Sequence, residues 1–227
     1  MSNLYRHADQ ALKLMYQFIE QEFQRTASTA RWDELNVMRT TDELFKQIDT
    51  YVQWQLRQIA QKAYEDAKRE IIAVLPEKEQ NMPGIATAFF VMAVLRSYNG
   101  KTQYRYDREW ERKRDRLAES VMAVIQQNEL AKLVNSNEVR EALQRSMRLM
   151  QGQVREMADT MTDEARNEAF KQAGIDEVMW HDQNDSKVCK ECRERDGQIY
   201  SIYNVPSKHP HCRCWVSAVI RDQEGSE

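Results

Sequence analysis

The segment Val188–Val216, VCKECRERDGQIYSIYNVPSKHPHCRCWV, holds all four cysteines of the 227-residue chain and two of its four histidines. Sulfur and imidazole groups gathered in one short segment are typical of a metal site. A lobe of this size cannot be held together by apolar burial alone, so a bound ion is expected to supply part of its folding free energy. This cluster therefore constrains the C-terminal fold more than any other feature of the sequence.

The spacing of these residues indicates zinc. Cys189 and Cys192 form a C-x-x-C pair, whose two sulfurs can converge on one point. After sixteen intervening residues, His209 and Cys212 repeat the two-residue gap, which gives C-x2-C-x16-H-x2-C. This pattern lies within the range of zinc-ribbon-like sites. We predict that these four residues bind one zinc ion.

Two other residues compete for a place in the site. Cys214 lies two positions after Cys212, so on a strand both sulfurs would point to the same side, and Cys214 is the first substitute. His211 is the next. The sequence leaves open which of Cys212, Cys214, His209 and His211 complete the site. The alternatives to a metal are reduced core thiols, or disulfides formed in an oxidising medium.

The predicted zinc is structural rather than catalytic. A catalytic zinc keeps one coordination position open and usually has a carboxylate base beside it. Here the protein ligands are in surplus. The H-x-E element of the zinc deaminases occurs nowhere in the chain. We therefore predict that the protein is not an enzyme.

Glycine and proline are scarce in the chain, with six and four residues. This composition favours long helices over a barrel or sandwich, which need many turns. The predicted fold class is mainly α, with long amphipathic helices followed by a small C-terminal β-rich zinc-binding lobe. We predict a helical region over 1–174, the zinc-binding lobe over 175–220 and a flexible tail over 221–227.

Apolar residues recur every three or four positions along the first region, as they do on one face of a helix. Thr41 or Asp42 is expected to cap the second helix, and Thr160 or Thr162 to begin a new helix that Gly174 ends. The most apolar run, 85–95, is too short to span a bilayer and predicts a buried helix. The helices are expected over 3–30, 41–75, 85–95, 104–126 and 136–159.

The apolar period changes after Gly174. The stretches EVMW, QIYSIY and CWVSAVI are short and rich in β-branched or aromatic residues, and turn residues separate them. They predict three short strands.

The charge of the chain gives little support for general nucleic-acid binding, because the net charge is −3 and the isoelectric point is about 5.9. Basic and acidic side chains alternate in the helix that starts near residue 104, which indicates a solvated face with ion pairs one turn apart. The alternative is a phosphate-tracking face that includes Tyr104, Tyr106 and Trp110. Residues 1–20 contain no apolar signal-peptide core, which favours synthesis in a reducing cytoplasm.

The segment GIDEVMWHDQNDSKVCKECRERDGQIYS, together with KHPHCRC, resembles the C-terminal signature of head morphogenesis proteins of tailed bacteriophages, the Mu F-like minor head proteins. The upstream sequence DTMTDEARNEA keeps Thr160 and Asn167 of the family pattern but has Asp159 and Met161 where the family commonly has Arg and Glu. The resemblance covers about residues 155–217. Its matched elements, in order, are Gly174, Trp180, Asp185, Cys189, Cys192, Asp196-Gly197, His209-Pro210 and Cys212-Arg213-Cys214.

The resemblance implies a minor capsid protein of the virion, made in the bacterial host cytoplasm and located in the head interior or at the portal vertex. The implied partners are phage portal and capsid or scaffold proteins, with packaged double-stranded DNA as a further candidate and no membrane. The alternative is a zinc-ribbon-like nucleic-acid-binding protein outside the capsid. The candidate contacts to the portal or to DNA phosphates are Arg193, Arg195, Lys208 and Arg213.

Overall fold

The computed structural model describes residues 5–96, 105–130, 136–184, 186, 188–209, 212 and 214–220. Several residues named above fall outside these ranges. They are Tyr104, Asp185, Pro210, His211, Arg213 and the tail 221–227.

The helical prediction for the first region is confirmed. Apolar stripes on the long helices meet in one buried core, where α5 packs against α1, α2 and α4. A short 3-10 helix, Pro76–Asn81, follows α2, and Pro76 lacks the backbone N–H that a continuing α-helix would need. The helices are α1 (Arg6–Thr29), α2 (Val37–Ile72), α3 (Thr87–Arg96), α4 (Tyr106–Leu130) and α5 (Ser136–Gln172).

The second helix begins earlier than the sequence predicted. Residue Thr41, expected at the N-cap, lies one turn inside α2 and is fully buried. Its hydroxyl donates to the carbonyls of Val37 at 3.0 Å and Met38 at 2.9 Å. A threonine can satisfy its hydroxyl within a helix in this way, so the residue type alone does not mark a helix start.

The predicted break near Thr160 is wrong, because α5 continues unbroken from Ser136 to Gln172. The Thr162 hydroxyl donates to the carbonyl of Ala158 at 2.9 Å, so it bonds one turn back and caps nothing. Thr160 also lies within the helix, where its hydroxyl is 3.0 Å from that of Tyr106 on α4. A threonine followed by acidic residues is also the pattern of a helix start, so the sequence alone predicts two helices here.

The end of α5 at Gly174 is confirmed. Gly174 adopts a φ of +73°, a conformation that glycine reaches without the penalty of a Cβ atom. Its N–H donates to the carbonyl of Lys171, and the N–H of Ile175 donates to the carbonyl of Phe170, both at 3.0 Å. These two bonds make a Schellman motif and turn the chain directly into the lobe.

The apolar helix α3 is less buried than the sequence predicted. Its residues Val91, Val94 and Leu95 face the core, but Phe89 is 79% exposed and Ala93 is exposed one turn further on. Within the part of the chain that the structure describes, one side of α3 packs against other elements, and its composition is more apolar than this packing buries. Among the described residues, no helix is both long enough and apolar enough to cross a membrane.

The solvated-face prediction for the charged helix α4 is supported. Arg112 and Lys113 both pair with Glu109 one turn away. The aromatic residues Tyr106 and Trp110 are buried in the core, where Trp110 packs edge-on against Phe45. Tyr106 and Trp110 are therefore not available to stack on a nucleic acid, and Tyr104, the third aromatic residue of the phosphate-tracking alternative, lies outside the described residues.

The three predicted strands are confirmed and form one antiparallel sheet in the order β2-β1-β3. Val178 of the central strand is paired with Tyr200 on one side and Ala218 on the other. Val178 and Trp180 are both fully buried, so this face of the sheet completes the core shared with α5. The elements of the lobe are β1 (Glu177–His181), α6 (Lys190–Arg195), β2 (Ile199–Ser201) and β3 (Trp215–Ala218).

Candidate metal centre

Two loops of the lobe bring the cysteines together. The first follows β1 and leads into α6, a helical turn that the sequence did not predict. Cys189 is the N-cap of α6 and accepts a hydrogen bond from the N–H of Cys192 at 3.4 Å. The second loop follows β2 and carries His209, Cys212 and Cys214 towards the start of β3.

The predicted residues form two overlapping groups of donors. In one group, Cys189 and Cys192 lie with His209, and in the other, Cys192 lies with Cys212 and Cys214. Within each group all donor atoms are within 4.8 Å of one another. Cys192 belongs to both groups, so it occupies the centre of the arrangement. These groups could hold a metal ion, whereas the choice of the four ligands stays a prediction.

Two of the separations are close to those around a tetrahedral ion, although the four predicted ligands are divided between the two groups. The Cys189 sulfur lies 3.3 Å from Nε2 of His209, and the sulfurs of Cys192 and Cys212 lie 3.6 Å apart. A tetrahedral zinc ion would hold a sulfur and a nitrogen about 3.6 Å apart and two sulfurs about 3.8 Å apart. Neither pair needs to move by more than a few tenths of an ångström. The five residues of the two groups, four cysteines and His209, all offer sulfur or imidazole donors, which zinc prefers.

Two of the thiols are set up to ionise readily. The N–H of Cys192 points at the Cys189 sulfur and lowers the pKa of that thiol below its ordinary value, with further help from His209. The hydrogen bond from Cys214 lowers the pKa of Cys212 to about 5. Thiolates are the form that binds metals, so Cys189 and Cys212 are prepared as ligands.

The other two thiols lie in less favourable surroundings for a charge. Burial and the neighbouring sulfurs raise the pKa of Cys192 to about 12. The hydrogen bond that Cys214 makes to Cys212 raises the pKa of Cys214 well above its ordinary range. A divalent ion would overcome this cost at Cys192, which lies in both groups. Cys214 could instead remain a thiol that donates a hydrogen bond to the Cys212 sulfur.

Trp180 and Arg195 pack against each other in the lobe. Trp180 is fully buried and belongs, with Cys192 and Cys212, to the hydrophobic core of the chain. The guanidinium of Arg195 lies 5.4 Å from the Trp180 ring and also pairs with Glu191. Arg195 therefore stabilises the lobe and is largely engaged within it. Asp196 and Gly197 form the turn between α6 and β2, with Gly197 at a φ of +75°.

Lys208 has a role that the sequence did not predict. It was a candidate for phosphate binding, but its side chain is buried and ion-paired with Asp163 of α5. The Tyr5 hydroxyl completes this contact. The prediction for Lys208 is wrong because the residues that bury it lie 45 and 203 positions away, beyond the reach of local pattern.

The donor groups are made of sulfur and imidazole ligands. Neither donor group found among the described residues contains a carboxylate, and every member is a soft or borderline ligand. A closed set of sulfur and imidazole ligands binds a metal that holds chain segments together. The fold and site thus define a helical protein with a small cysteine- and histidine-rich lobe.

Comparison with known families confirms the resemblance. Residues 112–217, a little under half of the chain, match the family described as phage Mu protein F like protein, and this match supports the resemblance to head morphogenesis proteins. The match runs from α4 through α5 and the whole centre and ends within β3. No curated protein and no solved structure matches the chain.

Proposed function

We propose that the protein is a minor head protein of a tailed phage, which associates with the portal vertex and assists head assembly or DNA packaging. The observation that carries this proposal is the family match over residues 112–217, which includes every residue of the candidate centre. The protein acts through binding surfaces and not through catalysis. Its place is in the virion, in the head interior or at the portal vertex.

The metal in this proposal is one structural zinc ion. Cys189, Cys192, His209 and Cys212 would hold it, with Cys214 as the alternative ligand. When bound, the ion would join the start of α6 to the loop before β3. That loop and α6 have little apolar surface of their own, so the ion would supply much of the free energy that orders them.

The exposed side of α3 supports docking to a protein partner. Phe89 is 79% exposed on a helix whose residues are almost all apolar. Exposed apolar surface of this kind often marks a protein contact. A portal or capsid subunit that covers this side would bury what the single chain cannot.

The nucleic-acid alternative has less support. Of the four basic residues considered as phosphate contacts, Lys208 is buried against Asp163, and Arg195 pairs with Glu191 and lies over Trp180. Arg193 is exposed, and Arg213 lies outside the described residues. Two of the four candidate phosphate contacts are therefore engaged within the protein.

Purified phage heads provide the test. We expect mass spectrometry to find the chain in DNA-filled heads, and a tagged copy to co-purify with the portal protein from infected cells. Recovery with free nucleic acid alone, with an affinity that falls steeply as salt rises, would support the zinc-ribbon-like alternative instead.

A further inference from the structure

Three polar side chains, of which Tyr5 and Lys208 are buried and Asp163 is partly buried, connect the residue before α1 and the loop before β3 to the C-terminal part of α5. The Tyr5 hydroxyl donates to Oδ1 of Asp163 at 2.8 Å. The ammonium group of Lys208 donates to Oδ2 of the same carboxylate and, at 3.1 Å, to the Tyr5 oxygen. We call Tyr5, Asp163 and Lys208 the buried polar cluster.

This cluster holds both ends of the loop that carries the candidate ligands. Lys208 directly precedes His209. At the other end, the carbonyl oxygen of Cys214 lies 3.2 Å from the Tyr5 hydroxyl. The segment that contains His209 and Cys212 is thus fixed to the helical body on both sides.

Burial makes this attachment specific. Lys208 and Tyr5 are each less than 10% exposed, so neither can exchange its partner for water. A buried ammonium group without its carboxylate is strongly unfavourable. Lys208 must therefore stay next to Asp163, and this holds the loop against α5. Burial and the Asp163 charge raise the pKa of Tyr5, so its hydroxyl stays protonated as a donor.

We propose that Tyr5, Asp163 and Lys208 are positioning residues of the metal site, so that zinc binding and attachment of the loop to α1 and α5 are coupled. This inference rests on the proposed zinc ion. None of the three side chains touches the metal; they act by placing His209 and Cys212 where Cys189 and Cys192 can share an ion with them. Because coupling is reciprocal, bound zinc also strengthens the attachment of the lobe to the helical body.

The first test compares two lysine substitutions in the full chain. Lys208→Met and Lys190→Met each remove one positive charge next to a candidate ligand, but the Lys190 side chain is 91% exposed. We expect Lys208→Met to lower zinc affinity at least about tenfold, as loss of an outer-shell contact does. Lys190→Met should change it less than about twofold, because its ion pair is on the surface. Competition with a zinc-binding dye gives both affinities, and equal affinities would overturn the proposal.

A double variant separates positioning from general damage. Asp163→Asn and Lys208→Met each leave one buried partner unpaired, whereas the double variant removes both. We therefore expect the loss of zinc affinity in the double variant to be clearly smaller than the two single losses combined. Fully additive losses would show that the two residues act independently and would refute the cluster. Unchanged helical circular dichroism confirms that the variants fold.

Hydrogen exchange of the metal-free chain tests the attachment without zinc. We expect Asp163→Asn to speed exchange in residues 177–181 and 199–202, while Asp66→Asn, a control within α2, leaves them unchanged. A wild-type chain that binds no zinc but shows this difference would refute the proposed metal and keep the attachment. Equal exchange in both variants would overturn the attachment even if wild-type zinc binding is tight.

Discussion

The sulfur atoms of Cys192 and Cys212 lie 3.6 Å apart although twenty residues separate them in the chain. One residue comes from the first turn of α6 and the other from the loop before β3. Cys192 is also within reach of Cys189 and His209, so it joins the two donor groups. A change at Cys192 should therefore affect the centre more than a change at any residue that belongs to only one group.

Replacement of Cys192 by serine should abolish metal binding. We expect zinc content, measured by elemental analysis after dialysis, to fall from about one equivalent to nearly none. The lobe should then become protease-sensitive, while circular dichroism at 222 nm stays close to wild type because the long helices remain. One full equivalent of zinc in the variant would contradict the assignment.

Cys212 and Cys214 can be separated by the same substitution at each position. The Cys212 thiol has the lowered pKa of the two and is the predicted ligand, whereas Cys214 donates to it. Cys212→Ser should therefore lower zinc affinity at least about tenfold more than Cys214→Ser. If both variants lose zinc to the same extent, Cys214 is a ligand in its own right.

Asp159 should make the stability of the protein depend on pH. Burial, and then the charge of Asp163, raises its pKa from 3.8 to about 7, against the opposing effects of Arg155 and Lys208. The folded chain therefore binds this proton more tightly than the unfolded chain does, and stability is lost as pH rises from 3.8 to about 7.

Asp159→Asn should remove that loss. We expect it to stabilise the protein by about 2 kcal/mol at pH 8, and by about 1 kcal/mol less at pH 6. Urea unfolding followed by circular dichroism, at fixed zinc concentration, gives both values. If Asp159→Asn changes the free energy of unfolding equally at pH 6 and pH 8, Asp159 is already ionised at both pH values.

Phe89→Ser should weaken partner binding without weakening the fold. The side chain is 79% exposed, so its loss should change the free energy of unfolding by less than about 0.5 kcal/mol. Recovery of the portal protein by the tagged chain should drop several-fold. Leu35→Ser is the matched control, because Leu35 is 92% exposed in the turn between α1 and α2. Equal recovery with both variants would remove α3 from the proposed docking surface.

Local pattern was sufficient for most elements of this fold. Apolar residues three or four apart predicted the helices, and the change of period after Gly174 predicted β1, β2 and β3. The errors at Thr41 and Thr162 have one cause, because a hydroxyl that could cap a helix can also bond to a carbonyl one turn back. Hydroxyl residues alone cannot separate one helix from two.

The candidate donors were also predictable, because metal ligands come in short, recognisable spacings. The residues that surround these donors could not be predicted from local pattern. Tyr5 and Asp163 are 158 residues apart, and neither belongs to a motif, so only the folded chain shows that they meet at Lys208. The exposure of Phe89 was equally hidden, since an apolar helix looks the same in sequence whether a partner or the chain itself covers it.

The unbroken course of α5 has a mechanical consequence. At about 1.5 Å per residue, its 37 residues span roughly 55 Å. The Schellman turn at Gly174 passes into β1 with only two residues between them, so the connection between α5 and the sheet is short. A force applied to the lobe would therefore be transmitted along α5 to the far end of the helical bundle.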